Sequence, residues 1–473
     1  MIVIVNPPNP EHAVSNKDTM GGLGQLYAEG SLIKIPPIDI AYCAALLRKN
    51  NLALNLIDCL GDSLDLKGLI SRLNQIKPEF VALRTSTPTF DCDMQITQEI
   101  KRQLGCKVII FGPHVTIFPE EAIKNEFVDA LILGEPEYSL LEIVGKNGFS
   151  GCRGVWYKDK EAIIRNDPRD RTTDLDGLPF PAWDLMPYRS YEAGELMNNI
   201  KPFVTALTSR GCPHACLYCP YPVAQGRDLR ARSPENVVAE LEWLTRDLGV
   251  KAVLFRDPEF ALKKDRAVDI CNLILSRALK IAWRCETRLE DLDEALIRLM
   301  AKSGCIGINI GIESADKEVL QNTGRKPVPL KKARKIINSC RKNNIGAFCF
   351  FIIGLPKDNK RTVRKTIDYA LGLDPEFVQF TVATPYPGTA LLKWAIEHSY
   401  IEDQSLSCLT GYAAAMRNEN LTCRQIDWLR WFANEAMDTR AAVALKRLRM
   451  GRTSIFTEFK RGIRFHLAEL FGN

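Results

Sequence analysis

The 473-residue sequence contains no run of 18 apolar residues, no low-complexity tract, no internal repeat and no basic, apolar leader at Met1. The first absence excludes a membrane-spanning helix, and the next two exclude a disordered, fibrous or solenoid chain. The last predicts a cytoplasmic protein without a secretory signal. A disulfide framework is excluded as well. The fifteen cysteines are odd in number and scattered through apolar segments, as at Cys43, Cys271, Cys340 and Cys349, which predicts reduced thiols. With 46% hydrophobic residues there is material for more than one core, and the length suits about three structural units.

Net charge is absent until the carboxyl end. Residues 440–473 hold eight Lys/Arg against Glu458 and Glu469, so the whole formal charge of +6 sits there. Phe456, Phe459, Phe465 and Phe471 interleave with these charges. Two readings compete: a solvated helical cap, or a surface that touches anionic lipid or an acidic substrate. No recognised RNA-binding module accompanies the charge, so no nucleic-acid partner is expected. Just before it, residues 421–445 carry helical apolar spacing (Trp428, Trp431, Phe432, Met437), which predicts core packing.

What the sequence does contain is an α/β rhythm in two blocks. Over residues 1–144, β-branched runs at 2–5, 53–57, 80–83, 108–111 and 130–133 alternate with helical patterns, which reads as a doubly wound parallel sheet. Residues 145–200 form a linker, with a hairpin expected at 154–165 and a proline-punctuated stretch at 175–191. Residues 201–395 hold six strand-like runs, at 203–208, 252–255, 281–286, 306–312, 347–353 and 377–382. A helix pattern follows each of the first five, so a partial (β/α)6 barrel is expected. Ser233 and Pro234 mark one helix start as N-cap and first helical residue. Residues 396–473 are expected to form a helical extension. The glycine-rich connection 15–37 is long for a βα loop, and reads either as a flap or as disorder.

One motif carries chemistry. Cys212, Cys216 and Cys219 stand in Cys-x3-Cys-x2-Cys spacing within eight residues, at the end of the first barrel strand. Three thiolates then converge from one loop. A structural zinc site wants four ligands, and no second CxxC or histidine pair lies nearby. An iron–sulfur cubane on three cysteines leaves one iron open for another ligand. Zinc and three unrelated core cysteines stay open as alternatives.

The triplet, with aromatic Tyr218 before its last cysteine and six βα units around it, resembles the radical S-adenosylmethionine (SAM) superfamily. The resemblance implies a 4Fe-4S cluster on Cys212, Cys216 and Cys219 whose open iron chelates SAM. Reduction by a flavodoxin- or ferredoxin-type donor would then release a 5′-deoxyadenosyl radical. Residues at successive strand ends suit a zwitterionic, ribose-bearing ligand. Glu259 would accept from the methionyl ammonium, Glu286 from ribose hydroxyls, and Arg288 would meet the SAM carboxylate. Glu313 ends the fourth strand, and Gly354, after the fifth, would let backbone approach adenine.

Residues 1–144 resemble the cobalamin-binding domain that precedes the barrel in one large class of these enzymes. The matching motifs are Pro36-Pro37, Thr85-Ser86-Thr87, Gly112-Pro113-His114 and Gly134-Glu135-Pro136-Glu137, with GINIGIESAD and TPYPGT in the barrel. Thr87, Gly112, His114, Gly134 and Glu135 are the cobalamin contacts it implies. There is no Asp-x-His-x-x-Gly loop to supply a lower cobalt ligand; His12 lies in the right loop without the flanking Asp and Gly. The function expected is cobalamin-dependent methylation of an unactivated carbon in a small-molecule, lipid or peptide substrate. Non-methylating radical cyclisation of a tetrapyrrole, lipid or natural product is the alternative. An iron–sulfur carrier or cobalamin sensor without catalysis is the reading from another class, but a carrier would fill all four iron sites with cysteine.

Overall fold

A computed structural model describes residues 1–439; the basic segment 440–473, with the lipid or cap readings placed on it, lies outside the described residues. The amino-terminal sheet has seven strands in the order Leu54–Asp58, Ile2–Asn6, Phe80–Arg84, Lys107–Phe111, Ala130–Ile132, Val155–Asp159 and Ala162–Arg165. The first five are parallel. Apart from the edge strand Leu54–Asp58, which alternates as LNLID, they read as short apolar runs because helices cover both faces. The expected hairpin does form, but as an antiparallel edge of this same sheet rather than a free element of the linker. One face (Val3, Val5, Val81, Leu83, Val108, Ile110) packs a core of its own. The other (Ile2, Ile4, Phe80, Ile109, Phe111) belongs to a core that runs on through the linker into the second domain.

Strand order reverses between Ile2–Asn6 and Phe80–Arg84, and ligands of open α/β sheets collect at such a switch point. The connection leaving Asn6 is ordered there. It forms a hairpin, Ala13–Asn16 against Gln25–Ala28, whose turn lies on the strand ends. Thr87 N donates to Leu23 O at 2.8 Å, and buried Lys17 grips Asp93 at 2.6 and 2.7 Å. This is the flap of the two expected readings.

The second sheet is the expected six-stranded parallel array: Phe203–Ala206, Ala252–Phe255, Ala282–Arg288, Cys305–Glu313, Gly346–Ile353 and Phe377–Val382. Its first and last strands do not pair, so the barrel stays open along one side. Register sets what faces inward. Glu286, Asn309, Phe348 and Phe377 share one level, and Arg288, Gly311, Phe350 and Gln379 the next. Helices follow the first five strands, and Ser233 caps Pro234–Arg246 by accepting from Asn236 N. After the barrel, helix Cys423–Asp438 packs on the last strand, where the Asn434 side chain bonds both N and O of Phe380.

The linker is buried glue. Trp183, Tyr191 and Met197 are fully buried between the two domains, and the Tyr191 hydroxyl donates to Asp58, which also accepts from Asn6 at 2.6 Å. Replacing Trp183 by Ala empties the centre of this seam, with an expected cost of about 3–5 kcal/mol. Urea unfolding followed by circular dichroism should show a clearly lower midpoint.

Candidate functional site

The cysteine loop is fastened at its base before it reaches any cavity. Ser209–Arg210 pairs antiparallel with Arg230–Ala231, so residues 211–229 close on a two-residue ribbon. Arg210 and Arg230 lie opposite each other and are held from the amino-terminal domain. Arg210 donates to Glu137 at 2.6 Å and lies 3.4 Å from Glu135, to which Arg230 donates at 2.6 Å. Burial works against ionised Glu135, but the two guanidiniums hold its carboxyl below the usual range. From below, Asp257 accepts from Thr208 N at 2.7 Å, Ser209 Oγ at 2.6 Å and the Thr208 hydroxyl. Gly211 has φ +86°, and a Cβ there would sit 2.1 Å from Asp228 O, so only glycine makes this turn.

Within the loop Cys212 N donates to Gly226 O and Cys219 N to Cys216 O. Leu217 N donates to Thr323 O, which lays the segment after the fourth strand along the loop. All three thiols then line one cavity of about 560 Å³ at the barrel mouth. No other cysteine lines it. Arg288 reaches in from the third strand, donating to Cys216 Sγ at 3.1 Å and lying 3.2 Å from His214 Nδ1. Cys212, His214 and Glu259 bring their ligand atoms within 4.8 Å of one another. His214 Nε2 stands 2.9 Å from Glu259 Oε2, while Glu259 Oε1 is buried without a hydrogen-bond partner among the described residues.

The carboxylates form a ring of paired groups. Glu313, at φ +67°, accepts from Arg325 at 2.9 Å, and Arg325 also donates to Gly311 O and lies 3.5 Å from the Tyr218 hydroxyl. Glu286 accepts from Arg256 at 2.5 Å and from Tyr221 at 3.2 Å. Arg256 Nε lies 3.6 Å from Asp18 on the flap, whose carboxyl burial pushes up to about 7. Burial also pushes up Cys212, Cys219 and Glu313. For Glu259 it acts with the neighbouring Asp291 and against Arg288. Buried thiols such as Cys212 and Cys219 ionise only beside a compensating cation, and three cysteines on one loop suit an iron–sulfur cubane better than a four-ligand zinc site. The unpartnered Glu259 oxygen and buried Arg325 Nε are open to a zwitterionic ligand beside it.

The expected SAM-site residues Tyr218, Glu259, Glu286, Arg288 and Glu313 therefore meet in one cavity. Gly354 does not: it faces Ile426 of the carboxyl-terminal helix and donates to Asp358. Thr87, Gly112 and His114 meet instead at the strand ends of the first sheet, with His114 Nδ1 3.3 Å from Thr87 Oγ1. His114 packs between Phe90 and Phe118, burial pulls its pKa down to about 4, and its Nε2 is buried without a partner among the described residues. That neutral, unpartnered nitrogen on a threonine- and glycine-lined ledge fits a hydrogen-bonding cofactor. Gly134 N donates to Thr116 at 2.9 Å, and Glu135 is taken up by the arginine clamp. His12 is exposed and paired with Glu29. Sequence reasoning did not reach His214, Arg256, Arg325 or Asp18. The first was visible inside the cysteine motif; the others have only long-range partners.

Two family descriptions match the chain: the radical SAM superfamily over residues 207–370 and the B12 binding domain over residues 31–144. An uncharacterized methyltransferase of Pyrococcus horikoshii is 31% identical over 401 residues, covering 83% of this chain and 86% of that protein. The anaerobic magnesium-protoporphyrin IX monomethyl ester cyclase of Cereibacter sphaeroides is 26% identical over 378 residues; the match covers 76% of this chain and 60% of the cyclase. Among solved structures, the radical S-adenosylmethionine methyltransferase TsrM of Kitasatospora setae, with cobalamin and a [4Fe-4S] cluster bound, superposes with a TM-score of 0.67 at 19% identity. It covers 84% of this chain and 78% of its own.

Arg210→Ala strands buried Glu137 and loosens the loop base. Breaking such a pair should cost about 3–5 kcal/mol. The variant should lose both thermal stability and iron per chain after anaerobic reconstitution; retention of both would contradict the clamp.

Proposed function

The chain belongs to the radical SAM superfamily and carries a B12-binding domain, and from that premise we propose that it is a cobalamin-dependent radical SAM enzyme that methylates an unactivated carbon. The observation that carries this reading is the convergence of three thiols, Arg288 and the unpartnered oxygen of Glu259 in one cavity. Cys212, Cys216 and Cys219 would hold the 4Fe-4S cluster. Thr87, Gly112 and His114 would hold cobalamin. When bound, cluster, SAM and cobalamin together supply a carbon-centred radical and a transferable methyl group.

The chain's own residues prepare that chemistry. Arg288 donates a hydrogen bond to Cys216 Sγ at 3.1 Å and so fixes the direction of that side chain. Glu259 is placed to accept from an ammonium and Arg288 and Arg325 to meet a carboxylate, while Glu286 and Glu313 offer acceptors for hydroxyls. The flap covers the mouth from the other domain and keeps bulk water from a reactive radical. An external low-potential donor of the flavodoxin or ferredoxin type would deliver the electron. All fifteen cysteines are free, which supports a reducing, cytoplasmic setting; no helix among the described residues is long and apolar enough to cross a membrane.

The similarity to the cyclase favours a second reading, radical cyclisation without methyl transfer. Anaerobic turnover with SAM labelled in its methyl group separates the two. Label in product, together with 5′-deoxyadenosine and S-adenosylhomocysteine, is the expected result; deoxyadenosine alone would leave the cyclase type. Cys216→Ala should abolish deoxyadenosine formation. Glu259→Gln should weaken SAM binding by roughly ten- to a hundredfold, the worth of one charged hydrogen bond, as read by equilibrium dialysis.

A further inference from the structure

The cavity has two unlike sides. On one, every cation that lines it has a carboxylate neighbour: Arg256 has Glu286, Arg325 has Glu313, and Arg288 lies 3.8 Å from Glu259 and 3.7 Å from Glu290. The opposite wall comes from the last two strands, which turn Phe348, Phe350, Ile352 and Phe377 inward. Its polar interruptions are neutral: Thr381, and Gln379 tied to the Tyr412 hydroxyl at 2.9 Å. Phe348 is the floor, backed by fully buried Arg284, whose guanidinium lies 3.9 Å from the ring centroid; Arg284 itself does not line the cavity.

This apolar wall continues to the surface where the barrel does not close. Thr205 on the first strand bonds Pro36 O at 3.1 Å, which holds the end of the flap against that edge. Ile33, Ile35 and Leu196 line the same cavity as Phe377 of the last strand. Phe377 is 38% exposed and Leu32, next to Ile33, is 60% exposed. At the inner end Tyr386 is 4% exposed, and its hydroxyl stands beside the Thr384 side chain with no other hydrogen-bond partner among the described residues.

From this we infer that the substrate is an extended, uncharged hydrocarbon, which enters through the open side of the barrel, lies along Phe377 and Phe348, and offers one neutral hydrogen-bonding group to Tyr386. The inference rests on the proposed function for the identity of the cavity as a substrate site. With Arg288, Arg325 and Glu259 taken up by SAM, a phosphate, carboxylate or ammonium on the substrate would meet no counter-ion along the Phe348–Phe377 wall among the described residues. An apolar body gains from burial in proportion to its length.

The test is binding to the full-length, cluster-reconstituted protein, left unreduced and saturated with SAM, with straight-chain alcohols from octanol to hexadecanol displacing the neutral dye Nile red. Affinity should tighten about fourfold per methylene until the wall is covered, and decanol should bind better than decyl phosphate. Phe377→Asp should weaken decanol roughly tenfold or more, while Phe377→Leu stays close to the parent and guards against a folding artefact. Tyr386→Phe should weaken the alcohols several-fold and leave Nile red unchanged. Affinity independent of chain length, preference for the phosphate, or an indifferent Phe377→Asp would each overturn the inference. Because binding needs neither reduction nor SAM cleavage, failure to form deoxyadenosine would sink the functional reading without touching this result, and the reverse also holds.

Discussion

The arrangement depends on one buried ion cluster. Arg210 and Arg230 face each other across the ribbon that closes the cysteine loop, and Glu135 and Glu137, around the start of helix Pro136–Lys146 in the other domain, complete the cluster. A buried guanidinium without a partner costs several kcal/mol, so the loop base reaches its low-energy form only when the two domains are docked. Docking and assembly of the three-thiol site are thereby one event. The core that runs from the first sheet through Trp183 and Tyr191 into the barrel supplies the non-directional part of the same attachment.

With the domains held this way, the flap has somewhere definite to lie. Gly21 comes within reach of Tyr221, Gly24 of Ser86, Asp18 of Arg256, and Gln25 bonds Thr410 O at 2.9 Å. One hairpin therefore touches the first sheet's strand ends, the barrel mouth and the segment after the barrel. Gly24 could not be another residue, since a Cβ would stand 2.6 Å from the Ser86 side chain at φ +88°. The enclosure that radical chemistry needs is thus built from close backbone packing rather than from added bulk.

Much of this was legible in the sequence, for a physical reason. Parallel strands covered on both faces are written as short continuous apolar runs, so IVIVN, FVALR and KVIIF announced themselves. The cysteine spacing is local, and a local motif survives translation into structure. Long-range partners do not show in that way. Val155–Asp159 and Ala162–Arg165 read correctly as a hairpin, yet nothing local says that they extend the first sheet. Arg325 sits in an unremarked turn and becomes a site residue only because Glu313 arrives from the fourth strand. Glu135, reached by motif as a cobalamin contact, is engaged by two arginines about 75 and 95 positions further on, a pairing that the chain's order hides.

The measurement that tests the account most directly is a Mössbauer spectrum of the ⁵⁷Fe-reconstituted protein with and without SAM. Three cysteines and an open iron predict a [4Fe-4S] spectrum in which SAM shifts one iron subsite and leaves the other three. Four equivalent sites indifferent to SAM, or a protein that takes up zinc and no cluster, would contradict it.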